Sequence, residues 1–469
     1  MCLTIPGKVI EIKTLRQARG ITKKALLKTA SGVRQVNIGL LSGVKVGDWL
    51  LATTDLAVKK IKTKDAGEIL ELLSGQKITD TRNVSPKFRN ILQNAQIKVL
   101  TKDEIVYLLK TDGHEKEALF SEADAARKEN LKDFICLHAI IEFSNHCANN
   151  CFYCGLRRDN ETVSRYRMSI PEIVKVANEA VNKIGYKMLV LQSGVDKWYT
   201  DEMLVELVKK IKAKCRCFIF MSAGERSVEC YKKIKQAGAN GVLFRFETSN
   251  QKLYDKMHPR DTLKGGFWDG VRGSPRPNHS LIPSLERRGN LAKQAPHSPL
   301  EDGLQNRLAL LKEMKKMGYY ISSGPIIGLP GQTIEDLADD ILMMKKLGVG
   351  MVSMGPFIPS DNTPLSREPR GDVELSLKMI AVSRLVMPKS RIPVTTALET
   401  LDPENARKRG SQGGANSLMF NLTPAKYRSK YKIYPNKFHG RDKDLEDFAL
   451  YKGKESWEML EREFKKYLK

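Results

Sequence analysis

The sequence predicts an α/β chain whose main unit is a parallel sheet closed as a barrel, preceded by a small antiparallel β-barrel and a helical connection. Three observations predict it. Beyond Phe134 short apolar runs alternate with amphipathic stretches of helical period. Before residue 75 apolar and polar positions alternate in short runs broken by Gly and Asp. Polar residues and thiols collect just after the apolar runs of the long unit, where parallel barrels carry their functional loops.

A chain of 469 residues is too long for one ordinary domain. Residues 1–75 hold strand-like runs at 8–12, 25–29, 35–38 and 48–52 and a short helix at 66–73, which together read as a small β-barrel. Residues 76–133 open on a polar linker and turn helical from Lys87, with Thr101-Lys102-Asp103-Glu104 as a helix start. The barrel occupies 134–440. Its strand candidates are 139–143, 188–191, 217–221, 241–244, 321–327, 351–354 and 394–396, separated by helices at 170–183, 201–214, 228–237, 308–317 and 334–347. Residues 260–303, with Pro275, Pro277, Pro283, Pro296 and Pro299 and no sustained period, read as an insertion, either a lid or a passive loop. Residues 441–469 are expected to form a helical tail.

Hydrophobic residues make up 41% of the chain but are interrupted by charges throughout, so no run reaches membrane-span length. The start, Met-Cys-Leu-Thr-Ile-Pro, has no signal-peptide pattern. Eight cysteines in so long a chain do not make a disulfide framework, and a reducing cytoplasm fits them. The formal charge of +25 sits largely on single lysines of helix-like segments, such as Lys209, Lys210, Lys212 and Lys214. Without interleaved aromatics to stack bases this describes a solvated surface, and neither a nucleic-acid nor a membrane partner is expected.

Three of the cysteines form Cys147-x3-Cys151-x2-Cys154, with Tyr153 beside the last and Gly155 after it. Thiolates at that spacing can hold three irons of a [4Fe–4S] cube and leave the fourth open. A structural zinc site would need a fourth ligand, and His146 abuts Cys147 too closely to close the same sphere. Cys136, Cys215, Cys217 and Cys230 read as small buried hydrophobes.

The spacing with Tyr153 resembles the radical S-adenosylmethionine (SAM) superfamily. The resemblance implies that SAM chelates the open iron and is reductively cleaved to methionine and a 5′-deoxyadenosyl radical. Other residues then acquire expected roles. Gln192-Ser193-Gly194 approaches the methionine part, because glycine permits a close backbone. Arg245 and Glu247, one residue apart on a strand end, share a face and can meet opposite charges on SAM. Gly328-Leu329-Pro330-Gly331 makes a turn near adenine. Each has a plainer reading as well, an internal ion pair or a connecting turn.

Glu142-Phe143-Ser144-Asn145, Tyr153 through Asn160, Arg165-Tyr166-Arg167-Met168, Gln192-Ser193-Gly194, Gly328 through Thr333, Gly355-Pro356-Phe357-Ile358-Pro359 and Asn421-Leu422-Thr423-Pro424 together resemble the HydE family of [FeFe]-hydrogenase maturases. That implies a complete (βα)8 TIM-type barrel and a part in assembling the iron–carbonyl–cyanide subcluster (H-cluster maturation). It also implies a small-molecule or organometallic substrate, other maturases as partners, and an electron donor such as ferredoxin or flavodoxin. By the same resemblance Ser193, Glu247 and Arg307 contact SAM, while Thr395, Thr396 and Tyr427 line the barrel interior. Val195 and Phe220 depart from the family pattern. The start Met-Cys-Leu-Thr-Ile-Pro-Gly-Lys-Val with Val-Lys-Val-Gly-Asp-Trp-Leu-Leu resembles the HypC/HupF hydrogenase-maturation chaperones, in which the second residue carries iron. This makes Cys2 a candidate metal ligand; its residue type alone favours the plainer reading, a short apolar residue under the first strand. Three alternatives stay open: a radical SAM enzyme acting on a small amino acid, like methylornithine synthase or biotin synthase; a tRNA-modifying enzyme; and a non-enzymatic iron scaffold.

Overall fold

The computed structural model describes residues 5–17, 20–29, 32–53, 56–63, 66, 84–131, 135–259 and 303–438. Cys2, most of the expected helix at 66–73, the linker 76–83, the insertion through residue 302 and the tail 441–469 lie outside the described residues.

The first unit is a closed five-stranded barrel of β1 (Ile5–Gln17), β2 (Gly20–Thr29), β3 (Gly32–Asn37), β4 (Trp49–Thr53) and β5 (Leu56–Ile61), in the order β1-β2-β3-β5-β4. Period-two alternation sends Val9, Ala25, Leu27, Val36, Leu50 and Ala57 into its core. The expectation lacked β5. Its sequence, Leu-Ala-Val-Lys-Lys-Ile, has one buried position and two adjacent lysines, so it carries little alternation of its own.

Three helices follow, α1 (Pro86–Ile97), α2 (Lys102–Lys110) and α3 (Gly113–Leu131). α1 begins at a Ser85 cap with Pro86 in the first turn. α2 begins at a full capping box of Thr101 and Glu104, the start signal read from the sequence.

The main unit is an eight-stranded parallel sheet of β6 (Cys136–Ser144), β7 (Met188–Ser193), β8 (Phe218–Ser222), β9 (Gly241–Leu243), β10 (Tyr320–Ser323), β12 (Met351–Val352), β14 (Pro393–Val394) and β15 (Ser417–Asn421). The short pair β11 (Ile326–Ile327) and β13 (Gly355–Pro356) forms a second sheet. The edge strand β12 meets the segment just before β14 in a parallel bridge between Met351 and Arg391, where the Val352 N–H reaches the Arg391 carbonyl and the Arg391 N–H the Gly350 carbonyl, each at 2.7 Å. Around the sheet run α4 (Ile170–Asn178), ending in a π turn over Glu179–Ile184, α5 (Asp201–Lys214), α6 (Val228–Gln236), α7 (Gln251–Met257), α8 (Gly303–Lys316), α9 (Ile334–Leu347), α10 (Val373–Val386), α11 (Thr396–Leu401), α12 (Ala406–Gln412) and α13 (Ala425–Arg428).

Several expectations need correction. The run 321–327 is two strands, split at Gly324-Pro325, because Pro325 has no N–H to donate to a ladder. Thr396 starts a helix instead of ending a strand. The eighth strand, β15, and helix α10 were not expected. α10 is buried along most of its length, including Ser383 and Arg384, so it lacks a polar stripe.

Alternation along the strands separates two cores. Leu137, Ala139, Ile141 and Phe143 of β6 face the helices, with Leu189, Leu191 and Ile219. Cys136, Ile140, Met188, Val190, Phe218, Phe220, Tyr320, Met351 and Met419 fill the barrel axis. Phe220 therefore belongs to this apolar plug, two residues below Ser222 on the same face of β8. Toward the C-terminal ends of the strands the inward positions become polar: Glu142, Gln192, Ser222, Arg245 and Asn421. Among the described residues no helix is long and apolar enough to cross a membrane.

Candidate functional site

The polar end of the barrel is built from the loops after the strands, and the thiol loop after β6 is its centre. The Ala148 N–H donates to the Val195 carbonyl (2.8 Å), the Phe152 N–H to the Met257 carbonyl (3.0 Å) and the Gly155 N–H to the Ile433 carbonyl (2.8 Å). The loop is thus tied to β7, α7 and the C-terminal segment. Arg165 fastens its flank: its two terminal nitrogens reach the carbonyls of Asn145, Leu156, Arg157 and Asn160 at 2.6–3.0 Å. A planar fork is suited to such multiple acceptors.

Glycine is required at two contacts. A Cβ on Gly194 would overlap the His146 carbonyl oxygen and stand 2.8 Å from the Cys147 Cβ; one on Gly155 would overlap the Lys432 carbonyl and meet Ser360 Oγ at 2.5 Å. The Val195 N–H donates to Cys147 Sγ at 3.4 Å. Position 195 serves this thiol through its backbone, which its valine side chain leaves intact.

All three thiols are free. Burial pushes Cys151 up to about 12, with Cys147 nearby adding to it, and burial raises Cys147 and Cys154 as well. Half-buried thiols that disfavour one another's ionisation are relieved by bound cationic metal, which holds them as thiolates. Among the described residues no three His, Cys, Asp or Glu side chains converge on one ion. A cube makes no such demand, since each thiolate takes a different iron. The donor set fits a [4Fe–4S] cluster.

Across the mouth, Arg245 and Glu247 stand on one face after β9. Nε of Arg245 and Oε2 of Glu247 are 3.2 Å apart, yet neither makes an aligned hydrogen bond, and both are buried. Glu247 has φ 69°, a left-handed backbone uncommon for a residue with a side chain, held by the Glu247 N–H on the Gly324 carbonyl and the Ile326 N–H on the Glu247 carbonyl. Arg245 Nη2 donates to the Pro325 carbonyl at 2.6 Å, so the unaligned atoms are Arg245 Nε and Glu247 Oε2 alone, and this loosely aligned pair of opposite charges fits the carboxylate and ammonium of an amino-acid head such as that of SAM. Arg307, from α8, packs over Phe244 and Tyr254, donates to the Arg245 carbonyl at 3.0 Å and reaches Glu225 through Nε (2.8 Å) and Nη2 (2.6 Å). Ser193 Oγ turns back to the Gly194 carbonyl at 2.7 Å.

Gln192 donates to the Tyr431 hydroxyl at 3.2 Å, and Thr396 Oγ1 lies 3.0 Å from the Tyr434 hydroxyl. Thr395 Oγ1 is buried without a hydrogen-bond partner. Glu142, 1% exposed, pairs with Lys437 and accepts from Asn421 at 2.9 Å.

The structure thus gathers Cys147, Cys151, Cys154, Tyr153, Gln192, Ser193, Gly194, Arg245, Glu247, Arg307, Thr395 and Thr396 at the C-terminal ends of the strands. Tyr427 does not join them. Its ring stacks on Tyr166 at 4.8 Å and its hydroxyl reaches Glu172 of α4 at 2.9 Å, whereas the hydroxyls of Tyr431 and Tyr434 meet Gln192 and Thr396. Glu142, Glu225, His258, Tyr431, Tyr434 and Lys437 were not expected. Glu142 had a signal, a lone charge in an apolar strand; the others lie in segments without period.

Residues 141–344 match the model of the radical SAM superfamily and residues 1–73 that of the HupF/HypC family. The [FeFe] hydrogenase maturase subunit HydE of Thermotoga maritima is 39% identical over 76% of this chain and 90% of its own length. A 3-methylornithine synthase of Methanosarcina acetivorans is 28% identical over 74% of this chain and 86% of its own length. Among solved structures, methylornithine synthase superposes with a TM-score of 0.62 at 23% identity, covering 80% of this chain and 99% of that one, which shows a shared fold.

Proposed function

The chain belongs to the HydE family of [FeFe]-hydrogenase maturases within the radical SAM superfamily, and from that premise we propose how its barrel mouth performs the reaction. It is an enzyme that uses a [4Fe–4S] cluster and SAM and acts on a small molecule in hydrogenase maturation. When bound, these groups supply one-electron cleavage of the sulfonium to methionine and a 5′-deoxyadenosyl radical. Cys147, Cys151 and Cys154 hold three irons, and Gly194 lets β7 approach the loop that carries them. Arg245 and Glu247 orient the amino-acid head of SAM, with Arg307 holding the Arg245 backbone in place. Tyr153, with Leu329 and Phe357, supplies the apolar side of the nucleotide site. Gln192, Thr395, Thr396, Tyr431 and Tyr434 form a polar wall for the substrate below, whose floor is the plug around Phe220.

The substrate is an organometallic or small amino-acid-derived fragment of the hydrogenase active site. The partners are the other maturases and a ferredoxin or flavodoxin as electron donor, in the cytoplasm. Cys2 carries iron for the same assembly line, as the HupF/HypC match suggests.

The observation that carries this reading is the three-thiol loop seated on Gly194 at the same end of the barrel as the Arg245–Glu247 pair, whose Nε and Oε2 are buried without an aligned hydrogen bond. Anaerobically reconstituted protein given dithionite and SAM is expected to yield 5′-deoxyadenosine, and Cys151→Ala to yield none. Product formation that survives Cys151→Ala would overturn it. Conversion of lysine to 3-methylornithine would move the chain to the amino-acid branch, whose members are 28% and 27% identical to it.

A further inference from the structure

The side chain between the last two thiols is anchored by a histidine that the proposed reaction does not use. Tyr153 Oη lies 2.9 Å from Nε2 of His258, the residue just past α7, and the two rings meet edge to face with centroids 5.4 Å apart. On its other side His258 Nδ1 is 2.9 Å from the Tyr254 carbonyl, and its ring stacks on Tyr254 at 4.0 Å. A carbonyl only accepts, so Nδ1 carries the proton. Burial, with Arg307 nearby, pushes the imidazole down to about 3, and a neutral ring has no second N–H. Nε2 is therefore the acceptor and the Tyr153 hydroxyl the donor.

Tyr153 packs with Leu253, Met257, Leu329 and Phe357, so its ring bridges the thiol loop, α7 and the Gly328–Gly331 turn. Ring packing alone leaves an aromatic side chain free to flip or tilt; a directional bond to a stacked, backbone-anchored acceptor does not.

We propose that His258 is a positioning residue for the SAM site, acting through Tyr153: it fixes the tilt of the Tyr153 ring and turns the phenolic proton away from the cofactor. The proposal rests on the SAM-binding reading of this mouth. The Tyr254–His258–Tyr153 stack is a strut from α7 to the cluster loop, and its acceptor nitrogen is the part that matters.

The test is SAM affinity, read from the change that SAM causes in the electron paramagnetic resonance signal of the dithionite-reduced cluster, with iron content measured in parallel. His258→Phe keeps a ring but loses the acceptor. It should retain iron and weaken SAM binding about fivefold, the worth of one neutral hydrogen bond. His258→Gln, which restores an acceptor near Nε2, should recover most of that affinity. Tyr153→Phe should match His258→Phe, and the double variant should be no weaker than either single one. The proposal fails if His258→Phe binds SAM as the parent does, if the double variant loses the product of the two single effects, or if iron content falls in step with affinity in both His258 variants. If the parent's signal does not respond to SAM at all, it is the SAM-binding reading itself that falls.

Discussion

Gly194 and Cys147 stand closer than any side chain at position 194 permits, since a Cβ there would lie 2.8 Å from the Cys147 Cβ. The contact joins the end of β7 to the first thiol, and the neighbouring Val195 N–H donates to the same sulfur. Both sides are backbone or Cβ, so neither can swing aside. Gly194→Ala should therefore push the thiol loop off the strand end and reduce iron incorporation several-fold, with the barrel still folded. Iron and sulfide content set beside far-ultraviolet circular dichroism checks this; full cluster loading in the variant would refute it.

The Arg307–Glu225 pair connects α8 to the loop after β8. Nε and Nη2 both reach one carboxylate oxygen, while Nη1 holds the Arg245 carbonyl. A lysine ammonium also has three donors, but they leave one nitrogen and cannot span both acceptors as the planar guanidinium fork does. Arg307→Lys is expected to raise the KM for SAM about tenfold or more, with kcat changing less, because the loss falls on the placing of Arg245. A fall in kcat at unchanged KM would instead assign Arg307 to the chemical step.

Asp340 on α9 is fully buried and accepts from the Ser249 N–H and hydroxyl, each at 2.6 Å, and from Gln332 Nε2 at 3.3 Å. Gln332 in turn accepts from the Gly328 N–H at 2.7 Å, so one carboxyl joins the loop after Glu247 to the Gly328–Gly331 turn. Burial pushes it from its ordinary 3.8 up to about 7, although the Ser249 bonds favour the ionised form. Between those two values the folded chain holds a proton that the unfolded chain releases, so stability is greatest at the acid end and falls as pH rises through about 7. From roughly pH 5.5 to 8 the loss amounts to about 2 kcal/mol, taking ~1.4 kcal/mol per unit. Denaturant midpoints should show that slope in the parent and not in Asp340→Asn; equal slopes in both would exclude Asp340 as its source.

How much of this was legible depended on whether the signal was local. α5 and α9 span the expected ranges because Thr200 and Thr333 cap them and their apolar positions repeat at helical spacing. The thiol loop announced itself by spacing. β15 did not: Ser-Leu-Met-Phe-Asn is short and has no period to distinguish it, and it becomes a strand because β6 and β14 pair with it from both sides. The aromatic lining failed for a similar reason. Tyr427, Tyr431 and Tyr434 follow one another closely, and only the path of the chain, with Lys430 and Ile433 carbonyls bound to Asn145 and Gly155, decides which of them face the barrel. His258 follows a helix, Gln251–Met257, that the sequence reading lacked, and its partner lies 105 positions earlier.

The pair Glu142–Lys437 is the most buried ion pair at the polar end, with side chains 1% and 6% exposed. Asn421 donates to the other carboxylate oxygen, and the Lys437 ammonium lies 4.8 Å from the centre of the Tyr431 ring. Removing one charge leaves the other stranded in low dielectric, which costs roughly 3–5 kcal/mol, whereas removing both together is far milder. Lys437→Met should therefore lower the unfolding free energy by about that amount, and Glu142→Gln/Lys437→Met should regain most of it. The segment that carries Lys437 also carries Tyr431 and Tyr434, so the single variant should loosen the polar wall as well and weaken substrate turnover more than SAM cleavage. Equal losses in the single and double variants would mean that the pair contributes packing alone. An unchanged ratio of turnover to SAM cleavage would separate the segment from the substrate wall.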